Sequence, residues 1–195
     1  TVDHIYGIEI SEFPAQIARV ALWIMDHLMN AELAAALGAY RPSIPLVVSP
    51  KIVQGNALRL DWKDVVRPEE LTYILGNPPF IGKHLMNEAQ SQDMDYICEG
   101  KVALCGVLDY VTAWYIKVAD YIIANDSIHC AFVSTNSITQ GEQPGVLWSY
   151  LFSQGIKISF AHRTFKWMNE ARGNAAVFCV IIGFFERRCA EKNPQ

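Results

Sequence analysis

A strand-like apolar run, Tyr73-Ile74-Leu75, leads into Gly76-Asn77-Pro78-Pro79-Phe80. Open α/β sheets bind ligands outside the carboxyl ends of their strands, so a polar group here stands where a ligand would lie. Two consecutive prolines fix a rigid turn and remove two backbone donors, leaving carbonyl oxygens to face a ligand. Asn77 adds an amide oxygen as acceptor, and Phe80 adds an aromatic face. Such a set suits a planar base that carries an amino group. The Asn77 oxygen and the Pro78 carbonyl can accept both N–H bonds of that amine and draw its lone pair out of the ring. The nitrogen can then attack a methyl donor in line, while Phe80 stacks on the extruded base. An isolated Asn-Pro-Pro is as readily a plain strand-ending turn. Its place after this strand, and the motifs around it, favour the chemical reading.

Apolar runs and helix-period segments alternate along the whole chain. His4 to Ile10 reads as a buried strand, with Ser11 as N-cap of a long helix that carries Ile17, Val20, Ala21, Ile24 and Leu28 at helical spacing. Gly38 to Pro50 is a loop, and Lys51 to Ala57 is a second strand. Tyr73 to Asn77 is the third. Gly82 to Gly100 is polar and reads as a mobile loop with some helix. Leu108 to Ile123 is a strong helix, and His129 to Ser134 is a fourth strand. Gly145 to Phe152 is a helix, and Lys157 to His162 and Ala175 to Phe185 are the last two strands. With no helix between them, these two should pair antiparallel at one edge. Strands alternating with helices predict an α/β fold with a largely parallel sheet.

Hydrophobic residues make up 51% of the 195 and charged residues 18%, which excludes a disordered chain. The formal net charge of −4 lacks the basic excess of a self-sufficient DNA binder. The cysteines, Cys98, Cys105, Cys130, Cys179 and Cys189, are widely and irregularly spaced, with no Cys-x-x-Cys. They read as reduced cytosolic residues rather than a metal site or a disulfide framework. No apolar run reaches the roughly 20 residues of a membrane span, and the N-terminus has no signal-peptide pattern. The expected compartment is the cytoplasm, with no membrane partner and no metal.

Asn77-Pro78-Pro79-Phe80 resembles the catalytic motif of the γ class of N6-adenine DNA methyltransferases, and its flanks resemble the fused type II restriction–modification enzymes. The resemblance covers nearly the whole chain, with its motifs in order. It implies a Rossmann-like class I methyltransferase sheet, mostly parallel with an antiparallel C-terminal strand pair. It implies S-adenosylmethionine as cofactor and double-stranded DNA with a flipped adenine as substrate. Tyr6-Gly7-Ile8-Glu9-Ile10 resembles the second-strand motif. Glu9 would bind the cofactor ribose, and Ile10 would pack on its adenine. Gly55-Asn56-Ala57-Leu58 resembles the next motif; Asn56 stands where the family often has Asp, and with Ala57 would meet the cofactor adenine. Asp61 reads instead as a helix N-cap. Leu108-Asp109-Tyr110-Val111 resembles the region that lines the methionine end of the cofactor, which points to Asp109. Phe132 to Ser137 resembles the strand end that supports the catalytic loop. Thr164-Phe165-Lys166-Trp167 resembles the region that supplies a second aromatic against the base, with Phe165 first and Trp167 in reserve. Lys83, His84, Arg163, Lys166 and Arg172 are candidates for the DNA backbone; for Lys83 and His84 a solvated loop is the plainer reading.

The family's glycine-rich first motif would precede Tyr6, and its strand would be central in the sheet. Residues 1–195 are therefore expected to be a partial catalytic domain that lacks this strand and a target-recognition domain, and to be inactive alone. The gap would be closed by rearrangement or by another chain, which includes self-association, or stay open. The rival functions are a protein-glutamine or RNA methyltransferase, whose Asn-Pro-Pro turns hold a planar amine in the same way, and a non-catalytic scaffold module.

Overall fold

The computed structural model describes residues 2–38, 48–167 and 177–186. They divide into two compact units, Thr1–Arg67 and Pro68–Gln195.

In the first unit a 3-10 turn, Val2–His4, precedes strand β1, Tyr6–Glu9. Helix α1, Glu12–Leu37, follows, and β2, Lys51–Gln54, returns parallel to β1. Ser11 is the N-cap residue of α1, yet its hydroxyl makes no cap bond; its backbone N–H donates to the Glu9 carboxylate instead, at 3.1 Å. Gly38 ends the helix with φ +64°, the left-handed geometry that a residue without Cβ adopts cheaply. Arg19 donates to the Ile52 carbonyl at 2.6 Å and Trp23 to the Val48 carbonyl at 3.0 Å, which fastens one side of α1 to the β2 segment. The residues at helical spacing, Ile17, Val20, Ala21, Ile24 and Leu28, are exposed. The helix is apolar on more than one side, so spacing alone does not select the face that packs. At 26 residues α1 also matches a membrane span in length and hydropathy, against the expectation from the sequence. Arg19 and Asp26 within it, and the polar bonds to the β2 segment, identify it as part of a folded unit.

The second unit holds a four-stranded sheet in the order β3-β4-β6-β5: β3 is Tyr73–Gly76, β4 His129–Thr135, β5 Ile156–Trp167 and β6 Val177–Glu186. β3 and β4 are parallel, and β6 runs antiparallel to both β4 and β5. The fold is α/β with the expected antiparallel edge pair. Because β6 is antiparallel to both neighbours, only one of the three pairings in this sheet is parallel, and the sheet is mixed rather than mostly parallel. Among the described residues β1 pairs only with β2 and β3 only with β4, so each keeps one open edge.

Helices α2, Glu88–Cys98, α3, Thr112–Ile122, and α4, Gln143–Ser153, complete this unit. α2 replaces most of the expected mobile loop. Its signal is a capping box: the Asn87 side chain accepts from the Gln90 N–H, and the Gln90 side chain accepts from the Asn87 N–H. α3 starts four residues later than its apolar spacing suggests, because Leu108 is extended and Asp109 bonds outward. Cys98 and Cys105 form a disulfide, with Cα atoms 6.2 Å apart, which corrects the expectation of reduced cysteines for this pair. The chain leaves α2 at Cys98 and returns to it seven residues later. Cys130 and Cys179 are buried free thiols, and Cys189 lies outside the described residues.

The core of this unit is aromatic. Tyr115 of α3 is fully buried, edge-on to Phe132 and Trp148 and stacked on Phe184, and its hydroxyl lies 2.7 Å from the buried Ser134 hydroxyl. Burial holds the phenol protonated well above its usual range. Replacing Tyr115 with Phe leaves the Ser134 hydroxyl buried without this partner. Urea unfolding should register a loss of about 1–3 kcal/mol, part of which Ser134→Ala restores in the double variant. Equal stability of Tyr115→Phe and wild type would refute a structural role for this bond.

Candidate active site

β3 ends at Gly76, so Asn77 is the first residue past its carboxyl end. Gly76 permits a close approach there: a Cβ on it would lie 3.0 Å from the Phe132 ring, which Tyr115 and Phe184 hold in place. Pro78 is buried, Asn77 exposed and Phe80 half-buried. The Pro79 carbonyl accepts from the Ile81 N–H at 3.2 Å. No hydrogen bond from a described residue reaches the Asn77 side chain or the Pro78 carbonyl. Phe80 makes no ring contact with a described residue. Two acceptors and an aromatic ring thus stand together in one five-residue turn.

The turn is tied down from behind. Asp109 accepts from the Lys83 N–H at 2.9 Å, and the Tyr110 N–H donates to the Ile81 carbonyl at 2.9 Å. The Gln143 side chain accepts from the Asp109 N–H at 3.0 Å, and the Thr112 hydroxyl donates to the Asp109 carbonyl at 2.7 Å. The Tyr110 hydroxyl donates to buried Asp93 of α2 at 2.8 Å. Asp109 and the motif are therefore brought together, with one Asp109 oxygen engaged on the loop itself. Gln143 and Asp93 carry no sequence signal for these contacts, since their partners lie 34 and 17 residues away. Lys83 is half-buried, and His84 is exposed.

Strand register places the remaining aromatics. Gly76 pairs with Phe132, Phe132 with Ile182 and Ile182 with Ala161. Phe165 pairs with Cys179, which pairs with Thr135, so it stands at the same sheet edge as the Asn77 turn. It is, however, three strands from β3, roughly 14 Å at the usual strand spacing. Phe165 is half-buried, edge-on to His162 at 5.5 Å, and Trp167 lies 6.2 Å from it. The structure brings Phe165 to the right edge and does not bring it against Phe80. Arg163 and Lys166 are exposed on β5, and Arg172 lies outside the described residues.

The first unit gathers the other candidates. β1 and β2 are parallel and end together, Glu9 opposite Gln54, with the Gly55 N–H donating to the Glu9 carbonyl at 2.9 Å. Glu9 and Asn56 therefore share one strand-end edge. The Glu9 carboxylate also bonds the Ser11 N–H, and the Asn56 amide oxygen accepts from the Leu58 N–H at 2.9 Å in its own turn. The Glu9 carboxylate keeps further acceptor capacity. Ile10 is 65% exposed, and the Ala57 carbonyl accepts from the Trp62 indole. Asp61 caps the 3-10 turn Trp62–Asp64 through the Lys63 N–H, as expected of it.

Residues 1–194 match the family described as the MmeI DNA-methyltransferase domain. The chain is similar to DNA methyltransferase A of Bacillus subtilis (strain 168), 44% identical over 187 residues, which are 94% of this chain and 21% of that protein. It is also similar to the solved structure of the Type IIL restriction-modification enzyme MmeI in complex with DNA. That match has a TM-score of 0.88 and 55% identity, and covers 95% of this chain and 25% of the other. The chain thus spans a fifth to a quarter of the length of these relatives. On both sequence and fold, it belongs to the MmeI DNA-methyltransferase domain family.

Proposed function

We propose that this chain is the catalytic part of a restriction–modification DNA methyltransferase that transfers a methyl group from S-adenosylmethionine to N6 of adenine. The observation that carries the reading is the Asn77 turn at the carboxyl end of β3, whose amide oxygen and Pro78 carbonyl accept no hydrogen bond from the described residues. The DNA seen with the MmeI structure supports DNA as the substrate. Residues 1–195 would be part of a Rossmann-like methyltransferase domain, and among the described residues β1 and β3 each keep one open edge. Those edges are also where self-association would occur. The cytoplasm, where DNA and the cofactor meet, is the fitting compartment.

The residues present fit this cofactor. Glu9 supplies a carboxylate for ribose hydroxyls, exposed Ile10 an apolar surface for the adenine, and Asn56 and Ala57 polar groups at the same edge. Asp109 has a second carboxylate oxygen for the amino-acid end. When bound, S-adenosylmethionine provides an electrophilic methyl group.

Asn77 Oδ1 and the Pro78 carbonyl accept the two N6 hydrogens of a flipped adenine. They pull the nitrogen lone pair out of conjugation and aim it. Phe80 covers one face of the base and excludes water from it, and Phe165 guards the same edge. The lone pair so aimed would attack the methyl group that S-adenosylmethionine supplies when bound, with the thioether as leaving group. N6 then gives up one proton to water. No covalent bond to the protein and no metal is needed.

In the full-length protein carrying this sequence, Asn77→Ala should lower methyl transfer to adenine by more than about 100-fold while sparing cofactor affinity. Retained turnover would sink the reading. Asp109→Asn keeps an oxygen for the Lys83 N–H, so its melting temperature should stay at the wild-type value. Its affinity for S-adenosylmethionine by calorimetry should drop roughly tenfold, the size of one charge-assisted hydrogen bond. Unchanged affinity would restrict Asp109 to holding the loop.

A further inference from the structure

Gln143 opens α4, and its side chain reaches across to another part of the chain. Its Oε1 accepts from the backbone N–H of Asp109 at 3.0 Å, 34 residues earlier. A carboxamide is planar and carries two donors on the nitrogen beside that oxygen. With the oxygen engaged, the NH2 group is held next to Asp109. No described residue accepts a hydrogen bond from it. Gln143 and Asp109 are both half-buried, so the amide is neither loose in solvent nor closed off from a ligand.

Asp109 supplies the opposite half of the chemistry. Its Oδ1 accepts from the Lys83 N–H at 2.9 Å, and no described residue donates to its Oδ2. Its backbone is fixed at both ends of the residue, by Gln143 at the N–H and by Thr112 at the carbonyl. Two N–H donors and an anionic acceptor therefore stand side by side, against the loop that follows Asn77. A phosphate would suit the donors but be repelled by the carboxylate. An ammonium would suit the carboxylate and leave the donors unused. A group with a carboxylate and an ammonium on one carbon satisfies both, and the cofactor carries such a group.

We propose that Gln143 binds the amino-acid end of S-adenosylmethionine, its NH2 group donating to the α-carboxylate while Asp109 Oδ2 accepts from the α-ammonium. The assignment rests on the methyltransferase reading above and adds to it a cofactor contact from α4. Two complementary contacts on one carbon fix how that end of the cofactor is turned, which a single contact does not. Methyl transfer leaves both charged groups of the cofactor intact, so the grip on the product, S-adenosylhomocysteine, is the same. Gln143 thus serves binding rather than the chemical step, because an interaction equal in ground and transition states does not raise turnover.

The test is calorimetric titration of the full-length protein carrying this sequence with two ligands. One is S-adenosylmethionine, and the other is its decarboxylated analogue, which keeps the ammonium and lacks the carboxylate. Gln143→Glu retains an oxygen for the Asp109 N–H and replaces the donor by a second, charged acceptor. It should weaken S-adenosylmethionine by about tenfold or more, the size of one charge-assisted hydrogen bond, and leave the decarboxylated analogue no weaker. S-adenosylhomocysteine should lose the same factor as the cofactor. In methyl transfer the KM for the cofactor should rise by that factor with kcat unchanged. Gln143→Ala also frees the Asp109 N–H, which disturbs Asp109 for both ligands alike, so the ratio of the two affinities is read; it should narrow in this variant too. An unchanged ratio in both variants, with S-adenosylmethionine still bound by the wild type, would overturn the assignment alone and leave Gln143 as a support for Asp109. A wild-type protein that binds neither ligand would discard the cofactor reading and this assignment together.

Discussion

The position of the Asn77 turn depends on the buried contact of Tyr115 with Phe132, Phe184 and Ser134. Tyr115 belongs to α3, Phe132 and Ser134 to β4, and Phe184 to β6, so one side chain joins the helix to the two inner strands of the sheet. Phe132 in turn lies against the Cα of Gly76, where a side chain would meet the ring. Close-packed interiors have little room to give, and a displaced ring displaces what it touches. Asn77 is one bond further on. Its placement is thus set by packing more than by anything in the loop.

Hydrogen bonds complete what packing begins. Asp109 and Tyr110 precede α3, and each binds the backbone of the loop after Asn77, one as acceptor and one as donor. Asp93 extends the network into α2. The helix that most resembled a mobile loop in sequence is therefore part of the frame behind the turn. In the first unit the same principle works with fewer parts: two short parallel strands end level with each other and bring Glu9 and Asn56 to one edge.

What was legible in the sequence follows from the range of the forces involved. The end of β3 was plain, because an apolar run stopped by two prolines needs no distant partner to be read. Asp61 as a cap was legible for the same reason, since its partner is two residues away. β5 was read as ending at His162 and runs to Trp167, because its last residues are strand only through pairing with β6 across the chain. The face of α1 that packs was not legible, since the helix is apolar on several sides and its bonds through Arg19 and Trp23 reach the β2 segment over a long sequence distance. That Phe165 and the Asn77 turn share a sheet end was legible. Its distance from Phe80 was not, because that distance is a strand order, which no local pattern encodes.

Pro78 and Pro79 have one more effect, felt before any ligand arrives. A chain past the end of a strand can usually gain by adding another rung to the ladder with its neighbour. Here the missing N–H groups deny that rung, and the ring-locked φ angles leave the unfolded chain fewer conformations to lose. Much of the entropy of ordering the acceptors is therefore surrendered when the domain folds rather than when a base enters. Binding at such a turn can be weak in total and still exacting in geometry.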